Sequence, residues 1–143
     1  MRELAFRLKK GDDLKQSIEK ACENINTAIV LCSVGSLYYA HFRLAKAKSF
    51  FDKQEDYEIV SLNGTISHGK AHLHIAISNE DGDVFGGHLE YGCLVNTTCE
   101  VVIGILEEYE SVRNYDKNTD FGEIEFSKKE IDKWLTFISY LVS

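Results

Sequence analysis

The sequence predicts an α+β domain, with most of the chain in strands, one helix near its start and another at its end. Two patterns predict it. Apolar residues alternate with polar ones, or run as β-branched tracts, over most of the length, which is the period of strands. Two stretches alone carry apolar residues at helical spacing: Leu14, Ile18, Ala21, Cys22 and Ile25, and then Ile131, Trp134, Leu135, Ile138, Leu141 and Val142.

Taken in order, Leu4, Phe6 and Leu8 alternate with Ala5 and Arg7 and open the sheet as a half-buried strand. Gly11-Asp12-Asp13 breaks that strand and caps a helix over residues 13–24, with acidic groups where the helix dipole favours them. Thr27 to Val34 is an unbroken aliphatic run, expected as a central strand buried on both faces. Gly35-Ser36 marks a turn or bulge, and Leu37 to Ala45 reads as a further strand, with His41 partly exposed on it. Residues 46–56 are charged and read as a solvated loop held down by Phe50 and Phe51, two aromatics that also suit a contact between subunits. Tyr57 to Ser67 forms a long strand, and His68 sits in an exposed turn. Beyond Leu89, Tyr91-Gly92-Cys93 turns the chain, and Leu94 to Glu107 makes a strand centred on Val101-Val102-Ile103. Val112 to Phe121 is polar and turn-rich, and Gly122 to Phe126 is a short edge strand. Ser127-Lys-Lys-Glu130 has the form of a capping box for the C-terminal helix.

The chemistry concentrates between Ala71 and Leu89. In a strand alternate side chains share a face, so His72, His74, Ala76 and Ser78 project one way and Leu73, Ile75 and Ile77 the other. A three-residue loop, Glu80-Asp81-Gly82, with Gly82 in the left-handed position, pairs Asn79 with Asp83 and sets His74 opposite His88. His72 is then diagonal to His88 on the same face. A two-residue loop at Asp81-Gly82 would instead face His88 toward Ile75 and dissolve the cluster. Three imidazoles with an open fourth place suit zinc, which is borderline-soft and tetrahedral; the pair His72 and His74 alone better suits the polar face of an ordinary strand. Gly86 and Gly87 within the second strand point to close approach by a backbone or a ligand, and are the candidate ligand-binding positions. Glu58 precedes the run Ile59-Val60-Ser61-Leu62 and is the candidate catalytic acid or base, on what is otherwise a solvated strand end.

At 143 residues and 16.2 kDa the chain is expected to form one domain with its own core. No apolar run is long enough to cross a membrane, and charges interrupt the N-terminal Met1 to Leu8 too often for a secretory signal, so a cytoplasmic protein is expected. Cys22, Cys32, Cys93 and Cys99 form no Cys-x-x-Cys pair and read as reduced thiols, with Cys32 and Cys93 in the core. A formal net charge of −7 opposes unassisted binding to nucleic acid.

Phe6-Arg7-Leu8, Gly11-Asp12-Asp13-Leu14, Val34-Gly35-Ser36-Leu37, Glu58-Ile59-Val60-Ser61-Leu62-Asn63-Gly64, His72-Leu73-His74 and Gly86-Gly87-His88-Leu89 stand in the order found in the plant-and-prokaryote-conserved (PPC) domain family, which residues 4–126 resemble. The resemblance implies an α+β fold with a mixed sheet, a homotrimer and, as in prokaryotic members, a metal, zinc above all, on the residues matching His72, His74 and His88. The expected architecture is therefore a mixed, largely antiparallel sheet with an N-terminal helix packed on it. Residues 1–126 form the PPC-like domain, and 127–143 an added C-terminal helix on that domain or on a neighbouring subunit. The function implied is a ligand-binding or regulatory role, in a family some of whose members are labelled DNA-binding; a zinc-dependent lyase or hydrolase of small carbonyl compounds is the alternative. The DNA-reading Arg-Gly-Arg-Pro segment of plant members has no counterpart in a chain without proline, so direct DNA binding is not expected.

Overall fold

The computed structural model describes residues 1–130. Among the described residues eight strands carry the fold: β1 (Arg2–Lys9), β2 (Thr27–Arg43), β3 (Phe50–Ser67), β4 (Lys70–Ser78), β5 (Val84–Leu89), β6 (Leu94–Ile105), β7 (Tyr109–Asp116) and β8 (Phe121–Lys128), with one helix, α1 (Leu14–Ala21), and a single helical turn at Ala45–Ala47. Six strands form a sheet in the order β1-β6-β2-β3-β4-β5, and β7 and β8 form a separate hairpin. Every pairing is antiparallel.

The α+β class with a mixed sheet is thus corrected: the described residues form an antiparallel β fold with one short helix. The connection through α1 does bring β1 and β2 into parallel orientation, but β6 lies between them and is antiparallel to both. Three tracts assigned otherwise are strand. Residues 50–56 pair with β2, from Arg43↔Phe50 to Tyr39↔Gln54. The polar stretch from Val112 pairs with β8 as a hairpin exposed along much of its length; the ladder satisfies its backbone whatever the side chains are. Ser127, expected to cap a helix, lies within β8. The expected C-terminal helix stripe, Ile131 to Val142, lies outside the described residues.

The helix begins where expected and stops earlier. Asp13 caps it, its carboxylate accepting from the Gln16 amide at 3.0 Å, and its other oxygen accepts from the Gly92 amide at 2.6 Å. Leu14, Ile18 and Cys22 have no exposed surface, which seats α1 on the sheet. Gly35-Ser36 is a bulge and not a turn: β2 runs through it, its register against β6 shifting between Gly35 and Leu37. Bulges bend a strand, and the far end of β2 swings back to pair with β5, Phe42↔Leu89 and Arg43↔His88. The sheet closes on itself through β2, β3, β4 and β5. The first half of β2 is not buried on both faces: Leu31 and Val34 are 44% and 53% exposed, and Cys32 is exposed as well. Cys93 is buried as expected, and burial pushes its thiol up to about 12.

Closure packs Phe42, Phe51, Tyr57 and Phe85 into one aromatic cluster, with Phe51 stacked on Phe42 at 4.7 Å and 5.0 Å from Phe85. Phe50 remains half exposed and stacks on His41 at 5.2 Å. The tight fit of β5 between β4 and β2 explains Gly86 and Gly87. A Cβ on Gly86 would stand 2.6 Å from the Ile75 carbonyl oxygen, and one on Gly87 would collide with the Arg43 carbonyl and approach Phe42 Cδ2 to 3.0 Å.

Gly87→Ala should therefore lower the denaturant midpoint by an amount equivalent to about 1–3 kcal/mol, the usual cost of overpacking. Gly122→Ala, where an added carbon meets nothing within 4 Å, should leave the midpoint nearly unchanged. Equal midpoints for the two variants would show that β5 is not held as closely as the packing indicates.

Candidate metal centre

The β4–β5 hairpin takes the three-residue form. Asn79 donates its amide to Asp83 O at 3.1 Å, Gly82 donates to Asn79 O at 3.0 Å, and Gly82 has φ +82°. The Asn79 side chain fixes the turn further, Oδ1 accepting from the amides of Asp81 and Asp83 at 3.1 and 2.9 Å. The resulting register is His74↔His88. Beneath it Leu73 and Ile77 have no exposed surface and Ile75 is 3% exposed, so the core holds the strand face from which the histidines point away.

His72, His74 and His88 converge. Their ring centroids are 5.4 Å (72–74), 5.0 Å (72–88) and 5.6 Å (74–88) apart. One nitrogen from each lies within 4.8 Å of the others, and this is the cluster of metal-ligating type found among the described residues. Tetrahedral zinc with bonds of about 2.0–2.1 Å needs its ligand nitrogens roughly 3.4 Å apart, a contraction within reach of small side-chain rotations. The donor chemistry also fits. Burial, then the charge of Arg113, lowers the pKa of His72, with Glu123 opposing. Burial, then Arg43, lowers that of His88 to about 4, with Glu90 opposing. Both rings are neutral near pH 7 and keep a lone pair free for a cation.

The cluster lies in a cleft of about 1100 Å³. One wall is the sheet face with the histidines; a second is the turn after β2, where Lys46 and Ala47 take positive φ; a third is the β7–β8 hairpin, which contributes Arg113, Phe121 and Glu123. The hairpin is pinned by a buried polar knot. Ser111, 1% exposed, has its hydroxyl within 2.8–3.1 Å of Ser67 Oγ, Thr27 Oγ1 and Asn26 O, and its carbonyl 2.7 Å from Nε2 of His68.

Glu58 pairs with Ser78, four residues along β4 from His74 and so about 13 Å away; it does not line the cleft. The carboxylates that do are Glu90 and Glu123. Glu90 Oε1 stands 3.9 Å from His88 Nε2 and 3.8 Å from Arg43 Nε. Gly86 and Gly87 both line the cleft. His41 and His68 stay outside the cluster. Sequence reasoning missed Arg43, Glu90, Arg113 and Glu123. Glu90 alone carried a signal, since it stands two residues past His88 and strand alternation places it on the same side; the other three depend on β2 meeting β5 and on where the β7–β8 hairpin folds.

Known proteins resemble this chain in sequence or in fold. The bifunctional protein GlmU of Synechococcus sp. (strain JA-3-3Ab) is 36% identical over 130 residues, which is 90% of this chain and 21% of that protein; the chain spans about a fifth of the length of the curated relatives it matches. A solved hypothetical protein from Salmonella cholerae-suis (Salmonella enterica) superposes with a TM-score of 0.85 at 30% identity, over 90% of this chain and 94% of that one. A metal-containing protein from Archaeoglobus fulgidus superposes with a TM-score of 0.69 at 28% identity, over 86% and 92%. The model of the Plants and Prokaryotes Conserved (PCC) domain matches residues 1–107, from β1 through β6 and the histidine hairpin, and the chain belongs to that family.

Proposed function

We propose that the protein is a homotrimeric, metal-containing module of this family with a ligand-binding or regulatory role. Zinc is its metal, and His72, His74 and His88 hold it. The observation that carries this reading is the convergence of three imidazole nitrogens within 4.8 Å on a strand face whose other side is core. The description of the Archaeoglobus relative as metal-containing supports it. So does the restriction of the GlmU match to a fifth of that bifunctional protein, the pattern of a module joined to other parts. When bound at such a site zinc polarises an oxygen or lowers the pKa of a water. The protein's own residues give it an open approach: the cleft leaves the histidine face accessible, and Gly86, on the same strand face as His88, puts no side chain in the way.

A zinc-dependent lyase or hydrolase acting on a small carbonyl compound is the second reading, favoured by Glu90 and Glu123 on the cleft wall. In it those two residues, rather than Glu58, are placed to hold or move a proton. A cytoplasmic setting accords with four cysteines that form no disulfide. No helix among the described residues is long and apolar enough to cross a membrane.

Elemental analysis at neutral pH should find about one zinc per chain, falling close to zero in His72→Ala, His74→Ala and His88→Ala and unchanged in His41→Ala, because removing one of three imidazoles leaves too few donors. Undiminished zinc in His88→Ala would remove the three-histidine reading.

Association between copies, on which the trimer depends, is supported by exposed apolar side chains. Met1 and Leu31, 65% and 44% exposed, meet over Gly104, whose hypothetical Cβ would lie 2.8 Å from Met1 Sδ and 3.1 Å from Leu31 Cδ1. Light scattering should give three times 16.2 kDa; a monomer persisting at micromolar concentration would contradict the trimer.

With a net charge of −7 and affinity for duplex resting on cationic contacts to phosphate, AT-rich DNA should give no gel shift near physiological salt. Submicromolar, steeply salt-dependent binding would mean that a local cationic surface outweighs the overall charge.

A further inference from the structure

The histidine cleft has the opposite electrostatic character from the rest of the chain. Three cationic side chains line it, Arg43, Lys46 and Arg113, against two carboxylates, Glu90 and Glu123, in a protein of net charge −7. The cations outnumber the carboxylates by one, with Arg43 Nε 3.8 Å from Glu90 Oε1, and a concave surface with a surplus of one sign favours ligands of the other. Two of the cations are held in place. Arg43 stands opposite His88 in the β2–β5 pairing, with its guanidinium carbon 5.9 Å from the ring centroid of Phe121. Arg113 donates Nη1 to the Gly122 carbonyl at 3.1 Å across the β7–β8 hairpin, which fixes the plane of its guanidinium.

The second nitrogen of Arg113, Nη2, has less than 1 Å² of exposed surface and no hydrogen-bond partner among the described residues. Leaving a buried donor unpaired costs about 1–3 kcal/mol, more for a charged group. Arg113 lines the cleft, and a guanidinium is suited to a carboxylate or phosphate oxygen; Nη2 itself meets such an oxygen only when the side chain shifts toward the cleft, since no water-sized atom reaches it where it stands.

We propose that the cleft binds a small molecule through an oxyanion, carboxylate or phosphate, that sits over the three histidines against the guanidinium of Arg113, with Arg43 supplying the second cationic wall. The inference deepens the metal-module reading and rests on it only for the contact on the histidine side; the arginine contacts do not need the metal. Arg113 and Phe121 both belong to the hairpin after residue 107, outside the part of the chain matched by the family model. Ligand choice is thereby assigned to the β7–β8 hairpin, while the histidine face belongs to the matched domain.

The test is calorimetric titration of malonate and of inorganic phosphate into the zinc-loaded full-length protein and into the metal-free protein, with malonamide as the uncharged control and zinc content followed by elemental analysis. Saturable 1:1 binding of malonate or phosphate is expected, with none for malonamide, and the better of the two probes identifies the oxyanion. Arg113→Gln should weaken that binding at least tenfold while zinc content stays at the wild-type level. If circular dichroism shows Arg113→Gln to be unfolded, Arg43→Gln carries the same expectation. Should the protein fail to retain zinc, the metal reading falls and the metal-free titration decides: Arg113-dependent anion binding there upholds the oxyanion site. Anions that bind no better than malonamide, or that bind the arginine variants as well as wild type, overturn it.

Discussion

The register between β4 and β5 governs everything that happens on the histidine face. It is set twice over, by a turn and by a core. The Asn79 carbonyl and side chain hold a three-residue loop closed around Gly82, while Leu73, Ile75 and Ile77 lose their surface to the interior. A slip of one residue would expose that apolar face and bury the histidines. Burial of three large aliphatic side chains contributes about 1.5–3 kcal/mol each, so the slipped pairing is disfavoured by much more than the turn alone could supply. The histidines are therefore positioned by residues that never touch them.

A second constraint turns this face into a cleft. A flat sheet would leave the hairpin at an open edge, but the bulged β2 curls until Arg43 pairs with His88. Two glycines in succession let β5 fit between its neighbours, since a side chain at either would strike a backbone carbonyl. Closure thus brings a cation to within one strand of the imidazoles and shields one edge of the site. The hydroxyl knot of Ser111, Ser67 and Thr27 does the equivalent task for the β7–β8 hairpin. All three side chains are buried and hydrogen-bonded, and a satisfied buried knot of this kind is directional in a way that apolar packing is not.

What the sequence disclosed, and what it hid, follows from the range of the interactions involved. The histidine hairpin was legible because a strand's period and a turn's residue chemistry are local, and they placed His72, His74 and His88 on one face without reference to the rest of the chain. The N-cap Asp13 was legible for the same reason. The β7–β8 hairpin was not, because residues such as Asn114, Asp116, Asn118 and Asp120 resemble a loop in composition, and only the partner strand shows that their backbone is paired. The double-sided burial expected for Thr27–Val34 failed at Leu31, Cys32 and Val34 because aliphatic content reports that a strand is buried somewhere, not that both faces are covered. Glu58 drew notice for its neighbours in sequence, yet the pairing with Ser78 carries it away from the histidines; the carboxylates that reach the cleft arrive by alternation, at Glu90, and by hairpin placement, at Glu123.

The electrostatics of the site have two sides that must balance. Arg113, Arg43 and Lys15 all act to keep His72 or His88 unprotonated, which frees imidazole lone pairs for a metal. The same charges repel a divalent cation that approaches them. Lys15 is held nearby by the Leu89 carbonyl at 3.2 Å and is 7% exposed, so water screens it poorly. Glu90 and Glu123 offset part of this, and they are the groups that raise the proton affinity of the same two rings. With a metal on the histidines the cleft would carry a surplus of positive charge that these two carboxylates cannot neutralise. Among the described residues Arg113 alone of the charged groups there holds a buried donor without a partner, and an anionic ligand against its guanidinium would answer the surplus charge.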